Sequence, residues 1–168
     1  MESKPLNQRA LLKIKDKEML GELSENQIEK LLASQFSGRL ACSNDGIPYI
    51  VPIHYHYQEG NILAHSVEGK KILMMRKNPV VCFQVDRVID VYNWESVIAW
   101  GRFEEILDME EKAGVMDALR GGVPSLYRTS SRSCSHGLAG KEETLGQDLQ
   151  LIFYRIVVVM KTGRFERH

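Results

Sequence analysis

The sequence predicts a mainly β (α+β) protein, a six-stranded antiparallel split β-barrel with a few short flanking helices. Three observations lead there. Several runs alternate apolar and polar residues at strand length. Turn signals, Asn44-Asp45-Gly46 and Glu59-Gly60, join consecutive runs closely enough for hairpins. The helical patterns fall between hairpins and not after every strand, which argues against a parallel βαβ sheet and for a small closed or split barrel. A chain of 168 residues fits one domain, 1–168, with one core.

Residues 1–20 are polar and mixed in charge and read as an arm laid on the surface or on a partner subunit. Ser24 and Gln27 then stand as N-cap and N3 of a capping box, and Ile28, Leu31 and Leu32 form one apolar stripe, so a helix runs to about Ser37-Gly38. "GRLACS" is a short strand. "IPYIVPIHYHY" is a long one, with Tyr49, Val51, Ile53, Tyr55 and Tyr57 on one side and Ile50, Pro52, His54 and His56 on the other. Pro52 cannot donate to a ladder, so one side of that strand is unpaired there. "NILAHS" returns antiparallel, and "KKILMMRKNP" is a short helix ended by Asn78-Pro79. Two further strands follow, "VVCFQVDRVIDVY" and "SVIAWGRFEEI". Asp108 and Glu111 make a second capping box, with Met109, Ala113 and Met116 as the expected buried stripe. Residues 121–147 are a long loop rich in Gly, Ser and charge, of the kind that is functional or disordered. "LQLIFYRIVVVMKTG" closes the chain as a strand apolar on both faces, expected to be covered by the barrel interior on one and by a helix or a second subunit on the other.

Lys+Arg and Asp+Glu are both 22, which speaks against a nucleic-acid partner, because such recognition leans on a basic surface. No window approaches a membrane span and the N-terminus lacks a signal-peptide apolar core, so the expected compartment is the cytoplasm. Cys42, Cys82 and Cys134 are odd in number and widely spaced, which fits neither a disulfide framework nor a zinc knuckle; Cys42 and Cys82 fall in strand patterns as buried thiols.

Four constellations carry chemistry. The stretch "HSVEGKK" puts Ser66, Gly69, Lys70 and Lys71 where a strand end meets a helix start. Free backbone N–H groups, a hydroxyl and two ammonium groups suit an anion such as a phosphate. The plainer reading is a solvated turn, but lysines at a helix N-terminus oppose the helix dipole, which tilts the balance toward an anion. Second, a turn at Glu59-Gly60 sets His54 opposite His65 with His56 on the same face, a set that suits a transition metal or a half-exposed polar sheet face. Third, one of Trp94 and Trp100 is expected to fill the barrel and the other to stack on a planar ligand or cover an interface. Fourth, Cys134 and His136 lie two apart without an orienting third group, so a lid or partner contact is the simpler reading than a Cys–His catalytic pair.

In order, Gly46-Ile47-Pro48-Tyr49, Val51-Pro52, Gly60, His65-Ser66, Gly69-Lys70-Lys71, Asn78-Pro79, Ser96-Val97-Ile98 and Gly101-Arg102 resemble the pyridoxamine 5′-phosphate oxidase-like FMN-binding split-barrel family, nearest its nitroimidazole-resistance (Nim-type) branch. The resemblance covers residues 38 to about 106. It implies a homodimer with FMN, or FAD, at the subunit interface. It further implies flavin contacts from Val51, Pro52, Ile53 and His54, from His65, Ser66, Lys70 and Lys71, and from Trp94 and Ser96, with no metal site. The basic C-terminal signature of true pyridoxamine-phosphate oxidases is absent from "FYRIVVVMKTGRFERH", which argues against vitamin B6 oxidation. The expected function is oxidoreduction of a small organic or nitroaromatic acceptor, with His65 and His54 as candidate catalytic residues. Alternatives are a non-catalytic flavin or haem binder and a metal-dependent enzyme using the histidines.

Overall fold

The computed structural model describes residues 19–122 and 151–168. The expectations for the arm before residue 19, for most of the 121–147 loop, and for Cys134 and His136 lie outside the described residues. Two glycine-bearing turns set the first hairpins. Asp45 and Gly46 have φ of 53° and 76°, and Glu59 and Gly60 have 51° and 75°, so each is a two-residue turn with both φ positive, whose twist matches that of the flanking strands. They join β2 (Ser37–Asn44) to β3 (Ile47–His54) and β4 (His56–Gln58) to β5 (Asn61–Val67). β1 (Leu20–Glu22) precedes helix α1 (Glu25–Ser34); α2 (Lys70–Lys77), β6 (Val80–Asp90), β7 (Asn93–Glu105), α3 (Met109–Gly122) and β8 (Leu151–Glu166) follow. The sheet order is β3-β2-β6-β7-β8-β5-β4, with β1 on β8. The sheet is antiparallel and not closed, as a split barrel requires.

The strand count is eight where six were expected. β1 accounts for one addition. The other comes from a break at Tyr55, which divides the long predicted strand. There the Tyr55 N–H donates to the Phe36 carbonyl at 3.0 Å and the phenol donates to the Leu32 carbonyl at 2.8 Å. The chain thus leaves the ladder with β2 and enters that with β5, so β3 and β4 lie at opposite ends of the sheet order.

The core fills the barrel and the space under α1. Leu40, Ile62, Ile72, Met75, Phe83, Val85, Val97, Tyr154 and Ile156 are fully covered. Ile28, Leu31 and Leu32 are the buried stripe of α1, and the Gln27 carboxamide oxygen accepts from the Ser24 N–H at 2.8 Å. The stripe of α3 differs from the expectation. Met109 and Ala113 are exposed, while Val115 and Leu119 pack on Ile106 and Phe153 with Met116 partly buried. The chain enters α3 through the expected Asp108 cap, whose carboxylate accepts from the Glu111 N–H at 2.8 Å, but the side that is buried is the one that meets Ile106 and Phe153. β8 has both faces covered over its first half: Ile152, Tyr154 and Ile156 face the barrel core and Phe153 faces α3. Val159, where the β7–β8 register shifts, and Met160 remain exposed.

Candidate functional site

β3 runs along one edge of the sheet. Among the described residues it pairs only with β2, so its other row of backbone groups is not used by the ladder. Pro52, opposite Arg39, stands where a missing N–H costs no bond on that outer side. Alternation along β3 is as expected: Ile53 is buried and Tyr49 and Val51 pack partly on the core, whereas Ile50, Pro52 and His54 face outward. Burial decreases from Ile53 toward Tyr49, so the strand emerges from the core at its first residues.

The other wall is where β5 ends and α2 begins. Gly69 is the N-cap of α2, and a Cβ built on it would meet nothing within 4 Å, so open space adjoins the backbone there. The two lysines that follow take different directions. Lys71 turns inward: its Nζ donates to Ser66 Oγ at 2.6 Å, and Ser66 Oγ in turn donates to the Val67 carbonyl at 2.7 Å. Burial pushes the Lys71 ammonium below the ordinary lysine range, opposed in part by the nearby Cys42 thiol. Lys70 lies across β3 instead, its Nζ 4.8 Å from the centre of the Tyr49 ring. No acidic residue occupies the first turn of α2. The helix therefore presents backbone N–H groups, its positive dipole end and two ammonium groups together, an arrangement that attracts a phosphate.

The structure brings Ser66, Lys70 and Lys71 to one corner, and Val51, Pro52, Ile53 and His54 lead away from it along β3. From Tyr49 to His54 the strand spans ~17 Å at its usual rise. The remaining candidates are elsewhere in the chain. His65 precedes Ser66 on β5 and so faces the opposite side of the sheet, its ring 5.6 Å from that of Phe153. Trp94 and Ser96 lie on β7, three strands from β3 in the sheet order, a separation of about 14 Å. Trp94 Nε1 donates to Glu166 at 3.0 Å, and Ser96 Oγ accepts from the Gln84 carboxamide at 3.1 Å, within a network that also holds Arg39 and Asp86.

The histidine pairing differs from the expectation. The register of β4 and β5 is the one the turn dictates, with His56 opposite Leu63, but the break at Tyr55 removes His54 from that ladder. His54 pairs instead with Ser37 of β2 and stacks on Phe36, ring centres 6.0 Å apart. Among the described residues no three His, Cys, Asp or Glu side chains are grouped to hold a metal. Tyr49, which the motif contained but which had no assigned role, is the residue that sequence reasoning missed; its signal is its place two residues before Val51 on the inward side of the edge strand.

The sequence profile of the family described as pyridoxamine 5′-phosphate oxidase matches residues 24–145. The chain belongs to this family. It is 32% identical to an FAD-binding protein of Mesorhizobium loti whose crystal structure superposes with a TM-score of 0.69, covering 89% of this chain and 99% of that one. A Bacteroides thetaiotaomicron structure assigned to 5-nitroimidazole antibiotic resistance superposes with a TM-score of 0.63 at 20% identity over 87% of each chain, a likeness of fold. An uncharacterised protein of Rhizobium meliloti is 36% identical over 84 residues; that match covers 50% of this chain and 56% of the relative, so the chain spans about half the length of the curated relative it matches. No described helix is long and apolar enough to cross a membrane.

Proposed function

We propose that this chain binds a flavin, FMN with FAD as the alternative, along the edge of β3, with the flavin phosphate at the start of α2. The observation that carries the reading is the convergence of Lys71, Ser66 and Lys70 on the open N-cap at Gly69, beside an edge strand long enough to run from phosphate to ring. In this reading the lysines and Ser66 hold the phosphate and the outer edge of β3 aligns the ring's polar edge. The relative from Mesorhizobium loti is described as binding FAD, which supports the same ligand class. A bound flavin would supply the electron transfer, as cofactors do for such chemistry.

The protein is then an oxidoreductase acting on a small organic or nitroaromatic acceptor. His54, exposed at the far end of β3, is better placed than His65 to hold a proton near the acceptor, because His65 is turned toward Phe153.

The reading places the flavin between two copies of the chain. Support comes from the outer face of the sheet. The registers put Ile50, Ala41, Cys82, Trp100 and Met160 in one row across five strands, and the ends of that row, Ile50 and Met160, are 62% and 53% exposed. A contiguous apolar face of this kind is a common signature of an interface. The test is equilibrium titration with FMN and with FAD alongside light scattering. The reading expects micromolar or tighter binding of one flavin by a dimer, and a loss of both dimer and flavin affinity in Ile50→Lys. A protein that binds neither flavin contradicts it.

A further inference from the structure

We infer that Tyr49 is a positioning residue for the anion corner, acting through Lys70. The inference rests on the reading of that corner as a phosphate site and adds a residue to it. Lys70 and Lys71 are consecutive at the first turn of α2, where a positive charge is unfavourable next to the helix dipole. Lys71 is held by Ser66 of β5. Lys70 has no carboxylate partner among the ion pairs of the described residues; its contact is the Tyr49 ring of β3. Without that ring an exposed lysine would swing away from the helix end and into solvent. With it, the ammonium is kept over the edge strand by the negative face of the ring.

Why the ring is there follows from the register. Tyr49 lies opposite Cys42, which is buried, and α2 packs on β2. The Tyr49 side chain is on the inward side of β3 but near the strand's start, where the core thins, so its ring is half-buried beneath the start of α2. The two ammonium groups are thus drawn apart, one toward β3 and one toward β5, at a helix start whose Gly69 backbone adjoins open space. An anion seated at that helix start would have both cations within reach. The hydroxyl of Tyr49 has no part in this arrangement, which depends on the ring face.

The test is a double-mutant cycle on flavin affinity, using wild type, Tyr49→Phe, Tyr49→Leu, Lys70→Ala and Tyr49→Leu/Lys70→Ala. Tyr49→Leu is expected to weaken FMN binding by roughly threefold to fivefold, the upper range of an exposed cation–π contact. Tyr49→Phe is expected to stay within about twofold of wild type, and Tyr49→Leu to add less than about twofold once Lys70 is alanine. In the ligand-free protein, the Lys70 ε-methylene protons are expected to be shifted upfield by the ring in wild type and Tyr49→Phe, and not in Tyr49→Leu. Equal losses from Tyr49→Leu in both backgrounds, a Tyr49→Phe as weak as Tyr49→Leu, or no upfield shift in wild type overturns the inference. If wild type binds no flavin, the flavin reading fails separately, and the same proteins titrated with inorganic pyrophosphate decide the role of Tyr49. The same pattern then supports it; any other pattern, or no binding, overturns it.

Discussion

Lys71 Nζ lies 2.6 Å from Ser66 Oγ, and this contact ties the first turn of α2 to the end of β5. It holds a half-buried ammonium inside the proposed phosphate corner, where desolvation lowers its pKa. Two pH effects of opposite sign follow. Between the lowered value and the ordinary lysine value, the unfolded chain holds the Lys71 proton and the folded chain has released it, so this group makes stability rise with pH. Flavin affinity should fall over the same interval, because the site loses its inward cation. Denaturation and FMN titrations from neutral pH toward pH 10, compared with Lys71→Met, isolate both effects; the variant should lack both slopes and bind FMN about 10- to 100-fold more weakly at neutral pH. Parallel slopes in wild type and variant would exclude Lys71 as their source.

Two glycines should respond in opposite ways. A Cβ at Gly38 would stand 2.2 Å from Phe83 Cζ and 2.8 Å from the Gln84 carbonyl oxygen, so Gly38→Ala should cost about 1–3 kcal/mol and lower Tm by several degrees. A Cβ at Gly69 meets open space, and its φ of −177° suits any residue, so Gly69→Ala should change stability by less than about 1 kcal/mol. Its cost should appear in flavin affinity. Calorimetric melts with parallel FMN titrations check the pair, and a Gly69→Ala protein with unchanged affinity argues against close ligand approach there.

Much of this was legible in the sequence because it depends on local rules. The Asp45-Gly46 and Glu59-Gly60 turns, the alternation of β3, the α1 stripe and the Ser66–Lys71 corner all follow from spacing within a few residues. What was not legible depends on distant partners. Tyr55 breaks its strand because Phe36 and Leu32 offer carbonyls to it, and so His54 pairs with Ser37 and not with His65. The stripe of α3 is chosen by Phe153, which comes more than thirty residues later in the chain. The Lys70–Tyr49 contact likewise joins two elements that no periodicity connects.

Two buried tyrosines should separate a satisfied hydroxyl from an unsatisfied one. Tyr55 donates to the Leu32 carbonyl, so Tyr55→Phe should lose about 1 kcal/mol. The Tyr154 hydroxyl is buried without a hydrogen-bond partner among the described residues, so Tyr154→Phe should be neutral or up to about 1 kcal/mol more stable. Chemical denaturation measures both. A Tyr154→Phe protein destabilised as much as Tyr55→Phe would mean that an ordered water or another group satisfies that hydroxyl.

Lys161 anchors α1 to β8 through Glu29 and Glu25, and the Tyr57 phenol also donates to Glu29 at 3.0 Å. The hydrogen bond from Lys161 holds the Glu29 carboxyl below its ordinary range. A lowered carboxyl pKa contributes stability above the unfolded value and loses it as pH falls through the folded one. Because both carboxylates are substantially exposed, the pair should be worth about 1 kcal/mol or less. Lys161→Met should therefore be modestly less stable at neutral pH, and the difference from wild type should shrink on acidification through the carboxylate range. A gap that stays constant with pH would point to lost packing of the lysine stem instead.

The most direct test of the central claim is the absorption spectrum of the purified full chain after addition of flavin and removal of the unbound excess, followed by mass spectrometry of what heat releases. Flavin bands that co-elute with the protein, together with a released mass of FMN or FAD, are the expected result, and Lys71→Ala should lose most of that absorbance. A colourless protein that retains neither flavin contradicts the account.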